Sequence, residues 1–491
     1  MSGRRLKEAG DLKFPYAFFR FKKLGRGFLL TNESGEFVIL SRAEFEALSS
    51  GDLKTVFPRA YEVMERKNFI RSVIDRQQLS ERYAAKYFVG GGTSLHIVVL
   101  TLRCDQACVY CHASAKCGDG KELDMLLATG NTVVDKIFGS PAQRINIEFQ
   151  GGEPLLCFAG LRNIVLKARE RAKSLGRVVT FTVVSNLAPL NGEMLRFFVR
   201  HRVQVCTSLD GPRRLHDRQR PRADGRSSYE IVVRGLKRLA KLKKGHSASA
   251  LLTVTRNSLS CYRGIIDEYL ARGFTGIHLR PLNPLGAAEK KIGSIGYSAR
   301  DFLRFYVQAM EYILAINRQG RSFNERTAVI FLRKILGVDD PGYLDIRSPC
   351  GAGIGQIVYN YNGDVYTCDE GRMLGAVGDH SFRIGPLGAF SFADLARNPV
   401  VKACATASCL EVVPGCSECV YKPYCGVCPV LNHAVNGNLF RSASFGCDIR
   451  KGILDYIFSK LAEPGDRAIL YQWIGFKKDA FLGREPNQGG F

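Results

Sequence analysis

Three cysteines, Cys104, Cys108 and Cys111, stand at spacings of four and three in the stretch Thr101-Leu-Arg-Cys-Asp-Gln-Ala-Cys-Val-Tyr-Cys-His112. Thiolates are the usual ligands of iron–sulfur clusters, and three of them leave one iron of a four-iron cluster without a protein ligand. An open iron can bind a small molecule and do chemistry, whereas a fully ligated cluster mainly passes electrons. The alternatives for this trio are three unrelated buried thiols or part of a zinc site. A second set comes much later: Cys350, Cys368, Cys416, Cys419, Cys425, Cys428 and Cys447. Its two Cys-x2-Cys pairs also suit one structural zinc, but that would leave Cys350, Cys368 and Cys447 unexplained, and seven thiols fit two iron–sulfur clusters better. Cys404 and Cys409 lie near this set, and either could supply a missing ligand. Cys117, Cys157, Cys206 and Cys261 belong to no motif and are expected to be buried free thiols.

The first trio needs a rigid element ahead of it. Leu95–Leu102 is short, apolar and β-branched, the pattern of a buried strand, so the cysteines fall on the loop leaving its C-terminal end. Further strands are expected at Ile145–Gln150, Val179–Ser185, Val203–Ser208, Ala248–Thr255 and Gly276–Leu282, alternating with amphipathic stretches such as Leu161–Lys173 and Ile265–Ala271. Six β/α repeats predict an α/β fold with a parallel sheet and helices outside. Functional residues in such sheets gather at the C-terminal strand ends. There the sequence has Gly151-Gly152-Glu153-Pro154 after the second strand, Ser185-Asn186 after the third, and Ser208 and Asp210 after the fourth. The glycines let the backbone approach a ligand closely, and Glu153 places a carboxylate where an amino group could be held. Asp210 is either functional or a turn-former, since Asp-Gly is a common turn pair. His216 and Asp217 read as surface residues rather than catalysts.

At 491 residues the chain should hold more than one domain. A small unit at 1–92 precedes the β/α region at 93–285, a helical bridge at 286–349 that shows no chemistry (Asp301–Asn317, for example), the cysteine-rich region at 350–450 and a tail at 451–491. In the first unit, Gly27–Leu40 reads as strand, turn, strand, and Ser41 with Glu44 forms a capping box that opens a helix at Arg42–Leu48. Such a module either docks a peptide by strand addition or caps the barrel. The linker 89–93 is glycine-rich. Asn362-Gly363 between apolar runs predicts a hairpin that brings Cys368 back toward Cys350. The net charge of +24 suits a nucleic-acid surface or an acidic partner. Much of it lies on apparent outer helices, such as Arg234, Lys237, Arg238, Lys241, Lys243 and Lys244 spaced among Ile231, Leu236, Leu239 and Leu242; a solvated face explains these without a partner. Sixteen cysteines without a secretory signal, and no membrane-length apolar run, point to the cytoplasm.

The trio, with Tyr110 before its last cysteine, resembles the signature of the radical S-adenosylmethionine (SAM) superfamily, and Gly151-Gly152-Glu153-Pro154 resembles that superfamily's motif for the SAM amino end. The resemblance implies a partial (β/α)6 TIM-type barrel, a [4Fe–4S] cluster on Cys104, Cys108 and Cys111, and cleavage of SAM to methionine and a 5′-deoxyadenosyl radical. Ser185, Asn186, Ser208 and Arg220 resemble positions that hold the SAM ribose and carboxylate. The late cysteines look like the SPASM domain of peptide-modifying members, although the x2 step to Cys428 departs from that family's x3. By analogy Cys350, Cys368 and Cys428 hold one auxiliary [4Fe–4S] cluster, and Cys416, Cys419, Cys425 and Cys447 the other. Phe19-Arg-Phe-Lys22, Phe149–Leu156, Thr207–Pro212, Leu279–Leu282, Asp369–Met373 and Pro423–Gly426 are similar to the His-Xaa-Ser system maturases. That likeness implies a polypeptide substrate with His-Xaa-Ser repeats, a second maturase and an electron donor such as flavodoxin or ferredoxin, with no membrane partner. The competing expectations are a radical SAM enzyme acting on RNA and a non-catalytic, zinc-bearing nucleic-acid-binding protein.

Overall fold

The computed structural model describes residues 15–87, 91–118, 120–222, 224–242, 248–337, 339–342 and 344–476. The chain ends at 1–14 and 477–491, positions 89 and 90 of the expected linker, and Lys243 and Lys244 lie outside the described residues.

The first unit is a three-stranded antiparallel sheet in the order β1 (Phe19–Leu24), β2 (Gly27–Asn32), β3 (Phe37–Ser41). The strand–turn–strand pattern is present, and β1 adds an edge strand that the sequence reading did not include. Ser41 and Glu44 make the expected capping box, and the helix runs Arg42–Ser50. The unit leans on the late cysteine region: the Thr31 hydroxyl donates to the Val420 carbonyl at 2.7 Å, Lys22 pairs with Asp455 at 2.6 Å, and Phe37 meets Phe458 edge-on at 5.1 Å.

Six parallel strands form the barrel wall: β4 (Leu95–Thr101), β5 (Arg144–Gly151), β6 (Val178–Ser185), β7 (Val203–Ser208), β8 (Ser249–Thr253) and, after the two-residue β9 (Gly276–Ile277), β10 (Leu279–Arg280). Side chains alternate along each strand. Ile145, Ile147 and Phe149 of β5, Phe181 and Val183 of β6, and Val203 and Val205 of β7 are buried in the main core with Leu161, Ile164 and Val165 of the helix Phe158–Ser174. Full burial of each such side chain contributes about 1.5–3 kcal/mol. The opposite set (Asn146, Glu148, Gln150, Thr182, Gln204, Cys206) is polar and lines a cavity.

The sixth strand differs from the expected continuous Gly276–Leu282. The chain jogs at His278, so that β9 pairs in parallel with β11 (Asn324–Glu325) while β10 pairs with β8. Pro281, which has no N–H to give to a ladder, follows directly.

The expected hairpin is β12 (Gln356–Tyr359) and β13 (Asp364–Tyr366), turned at Gly363 with φ +86°. Its β12 adds to the barrel sheet, parallel to β4, with Gln356 opposite Leu95 and Tyr359 opposite Val98; β14 (Arg383–Pro386) completes nine strands. The hairpin between Cys350 and Cys368 is thus joined to the strand that carries the Cys104 loop. Among the described residues, no helix is long and apolar enough to cross a membrane.

Candidate functional site

The cysteine loop is fixed mainly by backbone contacts. At its root Thr101 donates to Asp124 at 2.6 Å, and Arg103 pairs with the same carboxylate at 2.5 Å. Further along, Cys104 N–H donates to Lys116 O at 3.0 Å, Ala107 N–H to Pro221 O at 2.8 Å and Val109 N–H to Gln219 O at 2.9 Å. Backbone N–H groups also point at sulfur, Gln106 at Cys104 Sγ (3.5 Å) and Ala115 at Cys111 Sγ (3.4 Å). All three cysteines line a cavity of about 870 Å³ that fills the barrel mouth.

Gly151 and Gly152 have a different neighbour from the one expected. A Cβ on Gly151 would lie 2.1 Å from Thr101 O, and one on Gly152 would lie 2.2 Å from Arg103 O. Their smallness lets the end of β5 press against the protein's own cysteine loop, tied by Gly152 N–H to Thr101 O and Glu153 N–H to Arg103 O, both at 2.7 Å. Both glycines still lie on the cavity wall.

Glu153 is fully buried, off that wall, and its carboxylate is already engaged. It accepts from the Ser185 hydroxyl (2.7 Å), Asn186 N–H (2.7 Å) and Leu155 N–H (3.0 Å). It therefore braces the end of β6 against the turn that opens at Pro154. Burial pushes its carboxyl up to about 7 against the pull of these hydrogen bonds.

Ser185, Asn186, Ser208 and Arg220 all reach the cavity wall, as does Tyr110. Asn186 Nδ2 lies 3.8 Å from Cys104 Sγ and donates to Asp105 at 2.6 Å. Arg220 donates through Nε to Asp210 at 3.0 Å, lies 3.7 Å from Cys108 Sγ and stacks over the Tyr110 ring at 5.2 Å. Asp210 is wholly buried behind this group and off the wall, where it accepts from the Tyr110 hydroxyl at 2.5 Å. A catalytic carboxylate must reach the reacting atoms; this one reaches Arg220 and Tyr110.

His216 is not the surface residue expected, whereas Asp217 stays partly exposed. His216 is buried, its Nδ1 accepts from Asp210 N–H at 3.2 Å, and burial lowers its pKa to about 4. Asp217 accepts from Tyr229 N–H at 2.8 Å and the Ser227 hydroxyl at 2.7 Å, which fixes the start of the helix Ser228–Ala240. That helix buries Val232, Leu236 and Leu239 and exposes Arg234 and Lys237, a solvated face.

The sequence reading missed much of the cavity wall. Glu148 and Gln150 of β5, Arg280, Arg326 and Arg372, and Asp369 and Glu370 all line it. The period-2 polar pattern of β5 was a usable signal for the first two. The others reach the cavity through chain crossings that carry no local signature. Cys206 is buried on the same wall, whereas Cys117 is exposed rather than buried.

The late cysteines divide into two nests. Cys350, Cys368 and Cys428 share one buried cluster. Burial pushes the Cys368 thiol well up, and Glu370, Cys428 and Cys350 push it further. Cys416 is pushed up to about 12, first by burial and then by Cys425, Cys447 and Cys419. These are the thiols that the resemblance assigns to each cluster. With Cys428 turned toward Cys350, the two Cys-x2-Cys pairs do not converge on one ion. Among the described residues, no group of three or more His, Cys, Asp or Glu is gathered for a single metal ion. Burial also raises the Cys108 thiol to about 12, while Arg220 pulls it down.

Residues 98–258 match the family model of the Radical SAM superfamily. The protein is a radical SAM enzyme with the superfamily's α/β fold and a cysteine-rich C-terminal region; its cofactors are SAM and [4Fe–4S] clusters, and it is related to peptide- and protein-modifying maturases. Over 379 residues it is 23% identical to the cysteine-type anaerobic sulfatase-maturating enzyme of Clostridium novyi (strain NT), covering 75% of this chain and 96% of that one. It resembles the structure of native anSMEcpe with bound AdoMet at a TM-score of 0.65 and 18% identity, over 77% of this chain and 100% of the other. Streptococcus suis SuiB bound to precursor peptide SuiA is similar at a TM-score of 0.52 and 12% identity, over 86% of this chain and 97% of the other.

Proposed function

We propose that the protein is a peptide or protein maturase that modifies a polypeptide side chain or backbone carbon by radical chemistry. The observation that carries this reading is the cavity: about 870 Å³, bounded at one side by Cys104, Cys108 and Cys111 and at another by Asp369, Glu370 and Met373, which follow Cys368. Small-molecule sites span about 300–1,000 Å³, so SAM and one substrate side chain fit together. Cys104, Cys108 and Cys111 would hold the cluster, which would supply the electron for reductive cleavage of SAM. Around it Ser185, Asn186, Ser208 and Arg220 offer polar groups to SAM from the ends of successive strands. Tyr110 and Asp210 hold the Arg220 guanidinium in place, and Glu153 with Gly151 and Gly152 holds β5, β6 and the cysteine loop in register.

For the substrate, we infer a polypeptide of the His-Xaa-Ser type, with a second maturase and a flavodoxin or ferredoxin as donor; the sequence motifs support this. The N-terminal sheet supports a recognition role. Its edge strand β1 adjoins an apolar cavity of about 420 Å³ lined by Tyr16, Phe18, Phe19, Phe21, Phe45 and Leu48. An extended peptide added to β1 would gain main-chain hydrogen bonds and a side-chain pocket together.

The test is anaerobic turnover with SAM, a strong reductant and a His-Xaa-Ser polypeptide. The expected result is 5′-deoxyadenosine formed together with a mass change in the polypeptide. 5′-Deoxyadenosine without any mass change, across this and other polypeptide substrates, would count against a maturase.

A further inference from the structure

We infer that Cys404 is the fourth thiolate of the nest formed by Cys350, Cys368 and Cys428, which closes that auxiliary cluster with a ligand from a separate helix. The inference rests on the reading that this nest holds a cluster at all. Cys404 lies in the helix Pro399–Ala407, is fully buried, and belongs to the same cluster of side chains as the other three thiols. Four cysteines from four separate segments therefore share one buried cluster of side chains.

Two hydrogen-bond links fix the helix to the nest. Cys350 N–H donates to Ser408 Oγ at 2.8 Å, and Ser408 Oγ donates to Cys404 O at 2.6 Å. The Thr367 hydroxyl, next to Cys368 in the chain, lies 3.8 Å from Cys368 Sγ. The helix is also pressed close. Gly353, in the turn after Cys350, has φ +72°, and a Cβ there would stand 2.6 Å from Val401 Cγ2. Asn398 caps the helix through Val400 N–H and Val401 N–H, which fixes the position from which Cys404 projects.

The other candidates are committed elsewhere. The Cys409 thiol donates to Glu411 at 3.1 Å. Asp345, an oxygen ligand beside Cys350 and Cys428, is ion-paired with Arg450. Glu370 faces the cavity.

The test compares iron, sulfide and electron paramagnetic resonance of the anaerobically purified full-length protein with those of Cys404→Ala, Cys404→Ser, Cys404→Val, Asp345→Asn and Cys368→Ala. Cys404→Ala and Cys404→Val should lose about one iron per chain and show a three-iron signal on mild oxidation, or lose the cluster as Cys368→Ala does. Cys404→Ser, with an oxygen of similar reach, should keep its iron but shift the reduced spectrum. Iron content unchanged in Cys368→Ala would remove the cluster reading itself. Iron lost in Cys368→Ala while Cys404→Val keeps both wild-type iron and wild-type spectrum would overturn the inference alone. So would iron loss in Asp345→Asn with none in Cys404→Ala.

Discussion

The molecule holds thiols in two contrasting ways. Cys104, Cys108 and Cys111 come from one short loop and stand on the wall of the large cavity, held there by backbone hydrogen bonds and the close-packed Gly151 and Gly152. Cys416, Cys419, Cys425 and Cys447 form a nest of four, none of them on that wall. Between these extremes lies the Cys368 nest, whose following residues, Asp369 and Glu370, reach the cavity. A reactive iron needs a vacant position and room beside it, whereas an electron carrier needs neither. Three thiols on the cavity wall suit chemistry, and four thiols away from it suit electron handling.

Breaking either end separates the two roles. Cys108→Ala should abolish 5′-deoxyadenosine formation while leaving iron in both nests. Cys425→Ala should lower iron content yet leave SAM cleavage at the same order. Chromatography of the nucleoside beside an iron assay reads both, and equal loss of cleavage in the two variants would erase the contrast.

A smaller effect is expected behind the wall. Asp210→Ala leaves the buried Arg220 without its carboxylate, and breaking such a pair costs about 3–5 kcal/mol. SAM affinity should fall at least tenfold, measured by equilibrium binding, with iron content unchanged. Tyr110→Phe removes one hydrogen bond to a charged group, about 1.5–3 kcal/mol, and should fall in the same direction by less. Unaltered SAM binding in Asp210→Ala would make that group purely structural.

At the recognition sheet, removing the whole unit would strip partners from Val420, Asp455 and Phe458. The surface change Phe18→Ser with Phe21→Ser is cleaner, because both rings are 56% exposed. Each should cost about 1 kcal/mol of peptide binding, a fraction of full aromatic burial. The peptide KM should rise roughly five- to tenfold per site, with SAM cleavage unaffected. A peptide KM equal to wild type would leave the sheet a support for the cysteine region.

A separate effect, on stability rather than on turnover, concerns the join of β12 to β4. His96 is buried between Thr93 O (3.1 Å) and the Tyr359 hydroxyl (3.3 Å), and burial lowers its pKa to about 4. The unfolded chain takes up a proton near pH 6.5 that the folded one refuses until about 4. Stability is therefore full above pH 6.5 and falls as pH drops through that window, by up to about 3 kcal/mol. His96→Gln should flatten this slope in thermal melts from pH 7 to 4, and an unchanged slope would place the acid sensitivity elsewhere.

Much of this was legible because it is local. The cysteine spacing, the Gly-Gly turn, the capping box at Ser41 and the Asn-Gly hairpin each declare themselves within a dozen residues. What escaped was long-range pairing and orientation. Nothing in Gln356–Tyr359 says that its partner is Leu95–Val98 rather than another edge. The type of residue 153 predicts a carboxylate but not its rotation toward Ser185 and Asn186. His216 looked polar and exposed because a sequence does not show which polar groups find partners inside.

The contrast between the trio and the nests is tested most directly by the resonance spectrum of the reduced protein with and without SAM. SAM should perturb one cluster's signal, and this response should be absent in Cys108→Ala and persist in Cys425→Ala. A SAM response that survives in Cys108→Ala, or one that vanishes in Cys425→Ala, would contradict that contrast.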